Sequence, residues 1–122
     1  MTLKICVAQF NPCVGDMPGN ARKIVAAARQ AYEAGARLVL TPELAICGYP
    51  AEDLFLRPAF VQACDDAVNS VAQELAGLKG LHVVLGAPLA GPQGLRSRSV
   101  QVPQLYNAAH VLCEGRRLHS YA

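Results

Sequence analysis

No apolar run in this chain approaches the roughly 20 residues that a membrane-spanning helix requires. The first residues, Met1-Thr2-Leu3-Lys4-Ile5-Cys6-Val7-Ala8, enter a strand-like run directly, without the longer apolar core and small-residue cleavage site of a signal peptide. Charge is equally scarce. The formal net charge is +2 with 16% charged residues, too little to argue for nucleic acid or an anionic membrane as partner. Five cysteines, Cys6, Cys13, Cys47, Cys64 and Cys113, form no CxxC pair and are odd in number, which fits free thiols in a reducing cytoplasm better than a disulfide framework. His82, His110 and His119 share no metal-ligand spacing with them, so no zinc site is expected. No GxxxxGK[ST] phosphate loop occurs, and there is no internal repeat, low-complexity tract or linker.

What is present is a core. Of the 122 residues 52% are hydrophobic, which indicates a packed domain, or part of a larger one. Residues 3–9 read as a strand, followed by turn chemistry at Asn11-Pro12 and Gly15-Asp16. Asn20 is the expected N-cap of a helix running to about Ala34. Its inward stripe is Ile24, Ala27 or Ala28, Ala31 and Tyr32, and Gly35 suits the left-handed C-cap. Leu38-Val39-Leu40 then forms a short strand covered on both faces, ending near Pro42 because proline cannot donate to a ladder. Strand, helix, strand in this order favours a parallel pair with a crossover helix.

Residues 45–57 are irregular, and Gly48-Tyr49-Pro50 presents Tyr49 on a shaped loop. Pro58 opens a second helix, whose stripe Val61, Cys64, Val68, Val71, Leu75 and Leu78 steps by three and four and closes at Lys79-Gly80. The run is too short for a coiled coil and is expected to pack on a sheet. A strand over 82–86 ends at Ala87-Pro88, residues 90–104 form an exposed loop, and residues 105–113 form another strand. Glu114 to Arg117 make a turn, and a last strand begins over Leu118–Ala122, leaving an unpaired edge and uncovered apolar surface.

Several side chains invite chemistry. Glu43, set among Leu44, Ala45 and Ile46, is an acid in apolar company and must be satisfied by a partner or used. Cys47 is near it, but no local cation lowers its proton affinity, so it reads as an apolar filler. Cys64 lies on the helix stripe, Cys6 and Cys113 are expected in the core, and the role of Cys13 is open. Glu52 and Asp53 read as caps of the following helical turn, and Asn107 as a tie between strand and loop. Arg96, Arg98, Arg116 and Arg117 are expected as exposed charges.

Five segments together resemble the nitrilase (carbon–nitrogen hydrolase) superfamily. These are Ile5–Pro12 with Val14-Gly15-Asp16 and Gly19-Asn20, then Gly35–Leu44, Gly48–Leu54, Leu105–Ala109 and Gly115–Leu118. The Gly48-Tyr49-Pro50-Ala51-Glu52-Asp53-Leu54 stretch is similar to the N-terminal glutaminase domains of glutamine-dependent NAD synthetases. The resemblance implies a four-layer α-β-β-α sandwich and a Glu-Lys-Cys triad, with Glu43 as general base and Tyr49 either lining the glutamine pocket or packing over its turn. The family's lysine would fall just past Ala122 and its cysteine later, so these residues would carry one member of three and be inactive alone. Glutamine is the implied substrate. ATP and magnesium are implied only for a separate synthetase domain, and the parent is implied to be a homo-oligomer. The alternatives are a part of another amidase, of omega-amidase or carbamoylase type, and a non-catalytic protein that binds a partner through its sheet.

Overall fold

In the computed structural model, residues 2–48, 58–90 and 105–122 are described. The expectations for Tyr49, Glu52, Asp53, Arg96 and Arg98 lie outside those residues. The elements are β1 (Ile5–Val7), α1 (Met17–Glu33), β2 (Leu38–Leu40), α2 (Pro58–Glu74), β3 (His82–Ala90), β4 (Leu105–Cys113) and β5 (Arg116–Tyr121). They make a mixed α/β fold of one five-stranded sheet and two helices.

The sheet order is β1-β2-β3-β4-β5. β1, β2 and β3 are parallel, through Ile5↔Leu38 and Leu38↔His82, while β4 and β5 return antiparallel. Two right-handed crossovers that advance in one direction lay both helices on one face. On that face Cys6, Val39, Val83 and Leu112 stand in register, and Val39, Val83 and Leu112 are buried against Ile24, Ala28, Val68 and Val71. The opposite face carries Ile5 (52% exposed), Val7 (60%) and Tyr121, with Leu38 and Leu40 half-buried. β2 is therefore covered on one face only, because one helix layer is all that packs on it among the described residues.

α1 begins one turn earlier than Asn20. Asp16 caps it, its Oδ1 accepting from Gly19 N at 3.0 Å, with Pro18 in the first turn. At its other end Gly35 takes φ +96°, its N–H bonds Tyr32 O, and Ala36 N–H bonds Ala31 O, the paired bonds of a Schellman motif. Ala28, not Ala27, is the buried member of the stripe, and the Tyr32 hydroxyl reaches Lys79 O at 3.0 Å. α2 starts at Pro58 as expected, with Phe60 rather than Val61 buried at the head of its stripe.

β3 runs through Pro88 instead of ending at it. β2 stops opposite Val84, so beyond that point β4 is the one strand paired with β3 among the described residues, the edge setting where a missing N–H is tolerated. The hairpin turn is Glu114-Gly115 alone, and Arg116 and Arg117 belong to β5. Arg117 is not an exposed charge. It faces α2 and donates to Asp65 Oδ1 at 2.8 Å and Asn69 Oδ1 at 2.9 Å. Cys6 is half-buried under α1, and Cys113, opposite His82, is half-buried on the open face rather than in the core. His110 is buried under the helices with Nδ1 2.8 Å from Ser120 Oγ. Burial, and then the nearby Arg117 charge, holds its imidazole below the usual histidine range.

Candidate active site

Beyond Leu40 the β2–β3 ladder passes from backbone to a side chain. Thr41 N–H and its hydroxyl both donate to Val84 O, each at 3.0 Å, and the hydroxyl accepts from Gly86 N at 3.2 Å. Pro42 then ends the strand and residues 43–47 turn back over β3, with Ile46 N–H donating to Gly86 O at 3.2 Å. Gly86 is required here by proximity. A Cβ at that position would lie 2.5 Å from Leu44 N, 2.6 Å from Pro42 O and 3.1 Å from Glu43 C.

Three other contacts fix the turn from the far side. Asn20, fully buried, donates through Nδ2 to Ile46 O (3.0 Å) and to Cys13 O (2.8 Å), and accepts through Oδ1 from Cys13 N (2.8 Å). Gly15 N–H reaches Cys47 O at 2.9 Å, and Gly48, at φ +83°, backs onto Val14 too closely for a side chain. Within this clamp Leu44 is held at φ 49°, a left-handed conformation that branched and bulky residues avoid. Strain of this kind persists only where the surroundings over-determine it.

Leu44, Ala45, Ile46 and Cys47 are the buried side of the turn and Glu43 is the exposed side. The apolar pocket expected around Glu43 is thus not what these residues build. The turn buries its own apolar side chains and presents the carboxylate outward. There Asn107 of β4, opposite Pro88, donates its Nδ2 to Glu43 Oε1. Asn107 does tie a strand to a loop, and the loop is the one carrying Glu43. Beside it lies a recess of about 350 Å³ lined by Gln9, Phe10, Asn11 and Pro42.

Cys47 is no partner for this carboxylate. Its sulfur is fully buried, 3.6 Å from Gly48 O and 3.8 Å from Leu44 O. The Cys47 sulfur beside it, and then burial, push the thiol of the equally buried Cys64 far up. Both cysteines fill the core, as their positions in the sequence imply. Cys13 is exposed, and its backbone rather than its thiol is engaged, by Asn20.

The sequence reading did not single out Thr41 or Gly86, and it cast Asn20 in another role. Gly86 left a usable trace, since glycine inside an apolar strand marks a close backbone approach.

The carbon–nitrogen hydrolase family matches residues 4–121. The chain belongs to that family. Among curated relatives, the glutamine-dependent NAD(+) synthetase of Xanthomonas campestris pv. campestris is 44% identical over 118 residues, which cover 94% of this chain and 19% of that protein. The fold agrees with a solved glutamine-dependent NAD+ synthetase from Acinetobacter baumannii, at TM-score 0.73 and 31% identity over 96% of this chain and 20% of the other. An amidase from Nesterenkonia sp. matches at TM-score 0.72 and 27% identity, covering 98% of this chain and 41% of the amidase. This carbon–nitrogen hydrolase chain thus spans about a fifth of the length of the synthetases it matches. Among the described residues, no helix is long and apolar enough to cross a membrane.

Proposed function

We propose that the chain forms the first part of the glutamine-hydrolysing domain of a glutamine-dependent NAD(+) synthetase, with Glu43 as its general base. The observation that carries this reading is the seat of Glu43. A strained, clamped turn holds an exposed carboxylate at the end of a parallel strand, in a chain whose matched relatives are synthetases of that name. In this reading a lysine and a cysteine from elsewhere in the domain complete the triad.

Glu43 takes the thiol proton, the thiolate attacks the side-chain amide carbon of glutamine, and the lysine ammonium stabilises the oxyanion. The leaving nitrogen takes the proton back from Glu43 and departs as ammonia. Water, deprotonated by the same carboxylate, then opens the thioester, releasing glutamate and the free thiol. The ammonia serves a synthetase domain that amidates nicotinic acid adenine dinucleotide to NAD, where ATP and magnesium act. Five free cysteines suit a reducing, cytoplasmic setting. The parent is taken to be a homo-oligomer, which light scattering of the full-length protein measures.

The test separates the two half-reactions in the full-length protein. Glu43→Gln is expected to cut glutamate release and glutamine-dependent NAD formation by about 10³-fold, within the range for a lost general base. NAD formation from added ammonium should be unchanged. Residues 1–122 alone should release no glutamate. A wild-type protein that hydrolyses simple aliphatic amides but not glutamine would overturn the reading in favour of another amidase.

A further inference from the structure

We infer that Asn107 is the positioning residue for the Glu43 carboxylate and acts on amide hydrolysis only through it, an inference that rests on the glutaminase reading above. The side-chain partner that the structure gives Glu43 is Asn107 Nδ2, which donates to Oε1. A carboxylate only accepts, so the amide must turn its NH2 to Glu43 and its Oδ1 away. Both partners stand on backbone held against β3. The Glu43 backbone is seated on Gly86 and strapped by Thr41 and Ile46. Asn107 is set by the continuous nine-residue pairing of β3 with β4, where it lies opposite Pro88. The bond therefore selects one rotamer of an exposed side chain with three rotatable bonds.

The choice of amide suits a base. An arginine or lysine in its place would fix the carboxylate by neutralising it, whereas asparagine supplies a donor without a charge. With Oε1 accepting from Asn107, Oε2 is the less engaged oxygen and the better placed to take a proton. A general base displaced by even 1 Å loses on the order of 10²-fold in rate, so a group that removes this freedom is felt in turnover.

The test uses the full-length protein with glutamine as substrate. Asn107→Ala is expected to lower kcat for glutamate release by about 10- to 100-fold, with KM for glutamine within about twofold. Ammonium-dependent NAD formation should stay at the wild-type rate. Combined with Glu43→Gln, Asn107→Ala should cost nothing further. Asn107→Asp keeps the shape but sets a second carboxylate against the first. Its rate relative to wild type should rise as pH falls, because a protonated Asp regains a donor.

A raised KM with kcat retained would make Asn107 a substrate contact and overturn the inference, as would a loss additive to that of Glu43→Gln. If the wild-type protein releases no glutamate, the glutaminase reading fails, and a crystal structure of Asn107→Ala decides the positioning claim. A carboxylate that leaves its wild-type place supports it, and one that stays put overturns it.

Discussion

Among the described residues, two turns hold a residue other than glycine in the left-handed region, at Leu44 and Glu114, each at φ 49°. They reach it by opposite means. Glu114 is followed by Gly115 at φ +85° between the paired residues Cys113 and Arg116, so the turn is a two-residue hairpin with both dihedrals positive. That geometry matches the twist of its strands and asks little of the rest of the molecule. Its outside contacts are peripheral, an exposed 3.5 Å ion pair from Lys79 to Glu114 and a 3.5 Å bond from Gln73 to Gly115 O. The turn at Leu44 closes on itself through Cys47 N–H and Gly48 N–H to Leu44 O, but no glycine follows Leu44 directly and the turn leans on the rest of the molecule. Thr41, Gly86, Asn20 and Gly48 all work to hold it, and they come from three separate stretches of chain. A conformation written into its own turn is portable. One imposed by surroundings is as strong as its weakest clamp, and it is this second kind that presents Glu43.

Breaking the clamp at its buried side has the largest expected effect. Asn20→Ala leaves the buried Ile46 carbonyl, and at a part-buried edge Cys13 N–H and its carbonyl, short of a partner. A cost of about 3 kcal/mol is expected for such a loss. In full-length protein, hydrogen exchange should show it as lost protection at Gly15 and Gly48, with the hairpin amides unaffected. A protection loss spread evenly over the chain would mean the clamp is not local.

Gly86→Ala comes next. Its Cβ would meet three backbone atoms of the Glu43 turn, which cannot rotate away, so overpacking of about 2 kcal/mol is expected. Glutamate release should fall well beyond what the loss of folded protein explains, while ammonium-dependent NAD formation persists. The smallest effect sharpens the other side of the comparison. Glu114→Asn puts a residue tolerant of positive φ in the self-sufficient turn. A gain of about 0.5 kcal/mol is expected, part of the ~1–2 kcal/mol left-handed penalty. Thermal unfolding checks it, and turnover should not change.

The same contrast governs how much could be read from the sequence. The Gly35 cap, the strand ending before Glu43 and the β4 strand are local patterns, and each stands where its residues put it. The α2 stripe holds at Cys64, Val68 and Val71, but the helix ends at Glu74, so Leu75 and Leu78 follow it in the turn before the expected close at Lys79-Gly80. Asn20 misled because a polar residue near a helix start resembles a cap, when its amide is spent on Cys13 and Ile46, the latter more than a helix length away. Arg117 misled likewise, since nothing beside it in sequence announces Asp65 and Asn69. Pro88 looked like a strand end because the sequence does not say that β2 has already stopped. The position of Glu43 was legible, and its exposure and its bond to Asn107 were not, since both follow from β3 and β4 lying beside the turn.

The sheet topology also predicts an order of assembly, which hydrogen-exchange labelling during refolding would check. β4 and β5 close across two residues, a local event on the microsecond scale, whereas β1–β2 and β2–β3 each wait for a whole crossover helix. Asn107 and Gly86 both lie within the β3–β4 pairing, with no helix expected between the two strands. On that order the platform forms before the parallel pairs that deliver Glu43, and the base is expected to arrive last, at a berth already built.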